Sequence, residues 1–204
     1  MIDIIGGDDF TTEDSITRVI RAVLEIDRLV YGVLDPADNG DENFWRERWR
    51  HRPDAHHVCF VNGFVAGYLQ AVPLFPWTSH LVKSGQLRDA QILDSHVPLV
   101  SQREDQSLYI MSVVLHPAFQ GLGLAHKMWN ATASYWNKLS ELQECLLTIW
   151  SEHGGKFFRP FFGARVGVDA KGHQIFSLNL DHNKLPVFSG AKTNGSFAVG
   201  MRSA

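Results

Sequence analysis

The chain has 204 residues, of which 45% are apolar and 20% charged, and this composition is typical of a folded globular protein. The formal net charge of −3 leaves no basic excess for binding nucleic acid, and no Lys/Arg-rich helix indicates a membrane surface. The acidic N-terminus is unlike a secretory signal, and the longest apolar region is interrupted by Asn62-Gly63. We therefore expect a single cytoplasmic domain over residues 1–204, with no nucleic-acid or membrane partner.

The first half of the chain predicts one short strand, two helices and a β-hairpin. Asn62-Gly63 is the strongest hairpin signal, because both residues tolerate the positive φ that a two-residue turn requires. Apolar residues recur at helical spacing after Glu13, which predicts a long amphipathic helix. The expected elements are the strand Asp3–Ile5, the helices Glu13–Val30 and Glu42–Arg50, and the hairpin strands Val58–Val61 and Phe64–Leu69.

The second half predicts a mixed α/β pattern after an insertion at about residues 73–107. Within the insertion, one helix is expected near Gly85–Leu93. The following elements are the strand Leu108–Leu115, the helix Leu122–Asn137, the strand Cys145–Trp150, a short helix near Gly155–Phe162, and the strands Arg165–Val168 and Gln174–Leu180. The fold class is therefore α/β (α+β), with one central sheet flanked by helices.

The C-terminal tail, at about residues 181–204, contains few apolar residues. We expect it either to be loosely ordered or to wrap a neighbouring copy. The second alternative would make the protein a homodimer. Cys59 and Cys145 both lie inside apolar runs, and two buried free thiols are expected rather than a disulfide scaffold.

The most informative stretch is Leu108–Met128, where a buried strand runs into the glycine-bearing turn His116–Gly121 and a helix follows. Such a turn directs several backbone N–H groups towards one point, and the helix dipole adds partial positive charge there. Glycines allow a phosphate to approach the backbone without contacting a Cβ. The sequence therefore predicts an anion site suited to a pyrophosphate.

Two common phosphate motifs do not fit this turn. A dinucleotide-binding fingerprint requires G-x-G-x-x-G, but His126 stands where the third glycine is needed. A P-loop requires G-x-x-x-x-G-K-[ST], which the stretch lacks.

The stretch instead resembles the central motif of the GNAT superfamily of N-acetyltransferases, [QR]-x-x-G-x-[GA]. Gln120, Gly123 and Ala125 stand at its fixed positions, and Val113–Pro117 is similar to the strand and His-Pro turn that precede the motif in many members. The resemblance implies a GNAT-like mixed central sheet with two splayed strands, and acetyl-CoA as the co-substrate, with no metal.

The resemblance also implies which residues bind the cofactor. The backbone of Val113 and Leu115 would pair with the pantetheine arm, and an N–H group of the same strand would polarise the thioester carbonyl. The pyrophosphate would be held by Gln120, Gly121, Leu122, Gly123, Leu124 and Ala125. A primary amine of a small molecule or peptide would then attack the acetyl carbon directly in a ternary complex.

The candidate catalytic side chain is Tyr109. Many members carry a carboxylate or histidine near the start of this strand, and Tyr109 occupies the matching place. A phenol is a poor base at neutral pH but can donate a proton or hydrogen bond; a packed aromatic is the alternative interpretation. Strand alternation places Tyr109, Met111, Val113 and Leu115 on one face and Ile110, Ser112, Val114 and His116 on the other.

One departure from the family concerns the acid that protonates the leaving thiolate. Members often place a tyrosine shortly before a Gly-Phe pair on the helix after the second splayed strand. Arg159 stands at that place, ahead of Gly163. Water, Tyr109 or Ser151 are the remaining candidate donors.

The acceptor site has only weak candidates, and each has an ordinary structural explanation. Acidic residues that could attract a cationic amine, or belong to a solvated loop, are Asp35, Asp38, Asp41 and Glu42. Aromatic residues that could line the pocket, or pack in the core, are Trp45, Trp49, Phe75 and Trp77. The histidines His51, His56 and His57 cluster in sequence, but ordinary surface and strand positions explain them better than a metal site.

Two other functions stay open beside the acetyltransferase. A non-catalytic acyl-CoA-binding or regulatory module of the same fold is favoured by the missing tyrosine. A dinucleotide-binding oxidoreductase is disfavoured by the glycine spacing.

Overall fold

The computed structural model describes residues 1–33, 35, 38, 40–100, 106–139 and 142–188. This part of the chain forms seven β-strands and five α-helices. The strands are β1 (Ile2–Gly6), β2 (His56–Val61), β3 (Phe64–Leu74), β4 (Gln106–Leu115), β5 (Leu142–Ile149), β6 (Phe162–Val168) and β7 (Gln174–Leu178). The helices are α1 (Glu13–Tyr31), α2 (Glu42–His51), α3 (Pro76–Lys83), α4 (Leu124–Leu139) and α5 (Glu152–Phe158).

The seven strands form one mixed sheet in the order β1-β2-β3-β4-β5-β7-β6. Every neighbouring pair is antiparallel except β4 and β5, which are joined through α4 and run parallel. A parallel pair requires a crossover, and α4 supplies it. The predicted α/β fold with one central sheet is confirmed.

Local sequence signals explain where several elements begin and end. The side chains of Thr12 and Asp41 accept hydrogen bonds from the first turns of α1 and α2, as N-caps do. Asn62 and Gly63 both have positive φ (51° and 83°) and form the tight turn between β2 and β3. The predicted hairpin is therefore confirmed. Among the described helices, none combines the length and the apolar character that crossing a bilayer requires.

Helices cover both faces of the sheet. On one face, α4 and α5 bury a large apolar cluster that includes Met128, Trp129 and Phe158. On the other face, α1 and α2 pack over β2 and β3, and the insertion packs over the adjoining parts of β3, β4 and β5. Cys59 and Cys145 are fully buried free thiols, as expected, and burial raises the pKa of Cys59 to about 11.

The helix expected near Gly85–Leu93 is wrong. The insertion instead folds as α3, which begins at Pro76, a residue suited to the first helical turn. Gly85 follows the helix with φ of +71°, and its backbone packs so closely on Val168 that a Cβ would lie 2.5 Å from the Val168 carbonyl oxygen. The remainder contains two single 3-10 turns, at Asp89–Gln91 and Asp94–His96, and residues 101–105 lie outside the described part.

The described beginning of the tail, residues 181–188, packs along α4 of the same chain. The indole of Trp129 donates to the Pro186 carbonyl (2.8 Å), and Asn130 exchanges two hydrogen bonds with the Phe188 backbone. The prediction of a loosely ordered tail is therefore wrong for residues 181–188. Residues 189–204 lie outside the described part of the chain.

Candidate active site

The site is built around a gap between β4 and β5. The two strands pair from Gln106 and Leu142 as far as Ile110 and Leu147, and no β5 residue pairs with the described β4 residues 111–115. Beyond Leu147, β5 stays paired with β7 instead, through Ile149. The parallel strands therefore separate towards their C-terminal ends, as splayed strands do.

A β-bulge in β4 lies where the gap begins. Gln70 of β3 pairs with Ser112, but the next β3 residue, Ala71, pairs with Ile110, so that Met111 is an extra residue in β4. A bulge interrupts the alternation of side chains along a strand. The separation of β4 from β5 therefore starts at a local irregularity of β4 itself.

The bulge makes the predicted side-chain alternation of β4 wrong. Val113 and Leu115 share the α4 face with Leu108 and Ile110, whereas Tyr109 packs on the opposite face. The sequence alternation instead grouped Tyr109 with Val113. Because the extra residue shifts the phase by one position, the first and last parts of β4 obey different alternations.

The register of β4 places the backbone groups of Val113 and Leu115 on the gap side. The N–H of His116 donates to the Ala66 carbonyl (2.9 Å), next to the pair Leu115 and Gly67. In an antiparallel ladder, this makes Leu115 a non-hydrogen-bonded position whose N–H and C=O point away from β3. Val113, two residues earlier, points the same way. Both residues thus face the gap, where the sequence analysis expected a pantetheine arm.

The glycine turn joins the end of β4 to α4. Gly121 and Gly123 have φ of +78° and +71°, a conformation that glycine adopts without the strain a Cβ would cause. Within the described residues, the N–H groups from Gly121 to Ala125 meet no hydrogen-bond acceptor. The side chains of Leu124 and Ala125 are buried in the core, so these two residues offer only their main chain to a ligand.

Two side chains stabilise this turn from within. His116 accepts a hydrogen bond from the N–H of Ala118 at its Nδ1 atom (3.1 Å) and starts the single 3-10 turn that follows β4. Gln120 turns back, and its Nε2 donates to the Leu115 carbonyl (3.3 Å). The motif glutamine thus ties the turn to the strand that borders the gap.

Tyr109 lies under the insertion, on the face of β4 opposite α4. Its hydroxyl donates to Asp89 Oδ1 (2.8 Å) and lies 2.9 Å from Thr148 Oγ1. Thr148 is the first β5 residue beyond the β4 pairing, so the phenol stands at the start of the gap. The ring and the Asp89 carboxylate are both buried.

The end of β5 leads into an open pocket of about 640 Å³ between α5 and the β6–β7 hairpin. Arg159, which replaces the tyrosine of the family pattern, lies on the wall of this pocket. Ser151 accepts a hydrogen bond from the N–H of Gly154 (3.0 Å) and caps α5. Its hydroxyl therefore has a structural role.

The predicted acidic acceptor loop is occupied by other contacts. Asp38 is buried and accepts hydrogen bonds from Arg88 Nε (2.7 Å) and Lys171 Nζ (2.6 Å). These contacts join the segment after α1, the insertion and the β6–β7 hairpin. Asp35 lies near the same two cations, Asp41 caps α2, and Glu42 pairs with Arg21 and Arg46.

The space beneath this acidic loop is small. A cavity of about 10 Å³ lies beside the bulge, and it borders Trp45, Gln70, Asp89 and Ser112. That volume is about that of one water molecule. This cavity is therefore too small to hold an amine acceptor.

The remaining aromatic and histidine candidates have separate surroundings. Trp49 is buried and stacks on His56 (4.3 Å), whereas Phe75 and Trp77 stack on each other outside the gap. Burial lowers the pKa of His56 to about 3 and that of His57 to about 4. The three histidines are not gathered, and the described residues contain no group of metal-binding side chains.

One pair of residues in the pocket was missed from the sequence. His173 Nδ1 lies 2.8 Å from Asp169 Oδ2, and the imidazole stacks on Trp150 at a centroid distance of 4.3 Å. The spacing Asp-x-x-x-His around the turn at Gly172 was a usable signal. It was overlooked because this hairpin follows the motif by some fifty residues.

The comparisons with known proteins agree with this geometry. The sequence model of the Acetyltransferase (GNAT) family matches residues 20–151. No curated protein sequence matches the chain significantly.

Solved structures show the same fold at low sequence identity. The loading GNATL domain of CurA from Lyngbya majuscula has a TM-score of 0.60 at 8% identity, covering 88% of this chain and 98% of that chain. Naa50 from Arabidopsis thaliana, in complex with a bisubstrate analogue, has a TM-score of 0.54 at 8% identity, with coverages of 88% and 99%. An agmatine N-acetyltransferase has a TM-score of 0.55 at 13% identity, with coverages of 88% and 99%. Since the family model spans more than half of its length, the chain belongs to the Acetyltransferase (GNAT) family.

Proposed function

We propose that the protein is a cytoplasmic N-acetyltransferase that moves the acetyl group of acetyl-CoA to a primary amine. The observation that carries this proposal is the gap between β4 and β5, bordered by the backbone of Val113 and Leu115. An extended pantetheine arm can pair with these groups as an additional strand would. The family membership of the chain supports the same reaction.

The glycine turn lies at the end of this gap and suits the pyrophosphate. The N–H groups from Gly121 to Ala125 lie at the N-terminus of α4, where the helix dipole favours negative charge. Gln120 and Leu122 complete the turn, and Leu122 is exposed. The cofactor is thus held mainly by the main chain.

In the reaction, the amine attacks the thioester carbon directly and CoA leaves as the thiolate. A β4 N–H group facing the gap polarises the carbonyl as an oxyanion hole does. Holding both reactants side by side supplies much of the acceleration. Tyr109 is our candidate for donating a proton or hydrogen bond, because its hydroxyl lies beside Thr148 where the gap begins.

The acceptor belongs to the class of primary amines on small molecules or peptides. Among the structural neighbours, Naa50 holds the bisubstrate analogue CoA-Ac-MVNAL and another protein is an agmatine N-acetyltransferase. These proteins acetylate amines of different size, so a panel of both kinds is the appropriate starting point.

The test measures CoA release from acetyl-CoA with a panel of alkylamines, arylamines and peptide N-termini. A thiol reagent is suitable because both cysteines of the protein are buried and give little background. We expect amine-dependent CoA release and an N-acetylated product by mass spectrometry. Tight acetyl-CoA binding without turnover of any amine would support a non-catalytic acyl-CoA-binding module instead.

A thermal-shift comparison tests the remaining alternative, a dinucleotide-binding oxidoreductase. Acetyl-CoA and CoA should raise the melting temperature, because each binds only the folded state. Stabilisation by NAD, with none by CoA, would overturn the proposal in favour of a dinucleotide-binding enzyme.

A further inference from the structure

The β6–β7 hairpin holds a histidine in a fixed orientation. Asp169 Oδ1 accepts hydrogen bonds from the N–H groups of Lys171 and His173, both at 2.8 Å. The second oxygen of the same carboxylate lies 2.8 Å from His173 Nδ1. A carboxylate in this position selects the tautomer with the proton on Nδ1. The Nε2 atom then carries a lone pair that can accept a proton.

The histidine borders the open pocket between α5 and the β6–β7 hairpin. Its side chain is 25% exposed and lines the cavity of about 640 Å³ together with Trp150. The indole of Trp150 stacks on the imidazole ring and further restricts its orientation. Among the described residues, His173 Nε2 has no hydrogen-bond partner.

This pocket adjoins the gap at the end of β5. Ile149 and Trp150 line the pocket, and both follow Leu147, the last β5 residue that pairs with β4. Because β4 and β5 diverge towards their C-terminal ends, the end of β5 borders both this pocket and the widest part of the gap. An amine in the pocket would thus approach the thioester from the β5 side.

Charged residues of α5 face the histidine across the pocket. Glu152 and Lys156 pair with each other (2.6 Å), which leaves Arg159 as the unbalanced charge of this wall. On the hairpin, Lys171 lies over Trp150 and is held by Asp38. A cationic wall opposes a protonated amine, so a local base is needed to produce the nucleophile.

We propose that His173 is the general base of the acetyl transfer and that Asp169 is its positioning residue. This inference rests on the proposed function. His173 Nε2 takes one proton from the ammonium of the acceptor, and the amine nitrogen bonds to the acetyl carbon. As the C–S bond breaks, the remaining surplus proton on nitrogen is lost and ends on the thiolate, giving CoA. His173 then releases its proton to solvent through the open pocket.

The substrate test compares acceptors that need a base with acceptors that do not. An alkylamine is protonated at neutral pH, whereas aniline is already neutral. His173→Gln should lower kcat/KM for an alkylamine about 100-fold at pH 7, the usual contribution of a general base. The loss should shrink as the pH rises towards the pKa of the alkylamine, and aniline should be affected less than threefold.

The matched controls separate this role from folding. His182→Gln removes an exposed histidine (97%) and should leave the pH profile unchanged. Asp169→Asn should lower kcat/KM about tenfold for the alkylamine, with acetyl-CoA binding unchanged by calorimetry. An equal loss for aniline and the alkylamine in His173→Gln would overturn the proposal.

A second measurement does not depend on activity. Imidazole ¹⁵N spectra of the wild-type protein should show His173 protonated at Nδ1 in the neutral form, and this preference should be lost in Asp169→Asn. A proton on Nε2 would overturn the inference even if amines are acetylated. Failure of the wild-type protein to acetylate any amine would instead overturn the proposed function.

Discussion

The two sides of β4 present different kinds of surface. On the α4 side, the gap and the glycine turn offer main-chain groups, and the side chains of Leu124 and Ala125 point into the core. On the opposite side, the surface consists of side chains such as Asp38, Asp89 and Tyr109, which are joined in buried hydrogen bonds. The first surface borders a gap between two strands, whereas the cavity beside the second has about the volume of one water molecule.

This difference explains why one half of the site can be recognised and the other cannot. A surface made of backbone groups needs only glycines and a given strand register, and many sequences satisfy these requirements. A surface made of side chains depends on each residue. The structural neighbours share the fold at only 8–13% identity, so the backbone surface is the part that a common fold specifies.

The largest effect is expected from breaking the contacts at Asp38 on the side-chain surface. Asp38→Asn removes a buried charge that is held by Arg88 and Lys171, and the loss of one partner of such a group costs about 3 kcal/mol or more. Urea unfolding measures the change in the free energy of unfolding. Asp35→Asn is the control, since its partly exposed carboxylate should cost less than about 1 kcal/mol. Equal changes in the free energy of unfolding would show that the Asp38 contacts stabilise the protein no more than the partly exposed contacts of Asp35.

The cofactor side should respond through affinity. Gly123→Ala places a Cβ at a residue with φ of +71° and against the expected pyrophosphate, so acetyl-CoA should bind about 30-fold more weakly, about 2 kcal/mol. Isothermal titration calorimetry provides the measurement. Gly63→Ala is matched for strain, with φ of +83° and open space around the added Cβ, and should lose stability but no affinity. Unchanged affinity in Gly123→Ala would place the pyrophosphate elsewhere.

Acid should destabilise the fold through the buried His57 of β2. Burial lowers the pKa of His57 to about 4, below its unfolded value near 6.5, so the unfolded state binds more protons between these values. Stability is therefore full above pH 6.5 and falls as the pH decreases towards 4, by about 2 kcal/mol from pH 7.5 to 5 for this group alone. Denaturation curves across this range measure the slope. His57→Phe should reduce it, and a slope unchanged by the substitution would contradict the assignment.

A smaller effect on stability is expected at Tyr109, whose hydroxyl lies beside Thr148 at the start of the gap. Tyr109→Phe removes the hydroxyl between Asp89 and Thr148 and should cost about 1–2 kcal/mol. If the phenol also serves the reaction, kcat should fall at least tenfold at a temperature where the variant is fully folded. A loss of stability with unchanged kcat would make Tyr109 a structural residue.

The sequence predicted the features that depend on neighbouring residues. The Asn62-Gly63 hairpin and the glycine turn that follows β4 each follow from the local requirements for φ. The bulge at Met111 was not predicted, because apolar residues on both sides of it, such as Ile110 and Val113, hide the change in alternation.

The contacts of Asp38 and His173 could not be predicted from the sequence for another reason. Asp38 contacts Arg88 and Lys171, which lie 50 and 133 positions further along the chain. A periodic sequence pattern does not indicate contacts over such separations. The stacking of His173 on Trp150 likewise joins two separate segments. Side-chain partners across a fold are determined by the tertiary structure, which a single sequence does not display.

The single additional residue in β4 has a consequence for how this strand tolerates length changes. Met111 and Ser112 together stand opposite Gln70, so deleting Met111 would let Ser112 follow Ile110 in an uninterrupted ladder, and every pair from Ser112 to Leu115 would keep its β3 partner. Val113 and Leu115 would therefore stay beneath α4, with their peptide groups still on the gap side. A loss of one codon at this position would thus spare the hydrophobic layer and the glycine turn, and would remove only the irregularity at which β4 leaves β5.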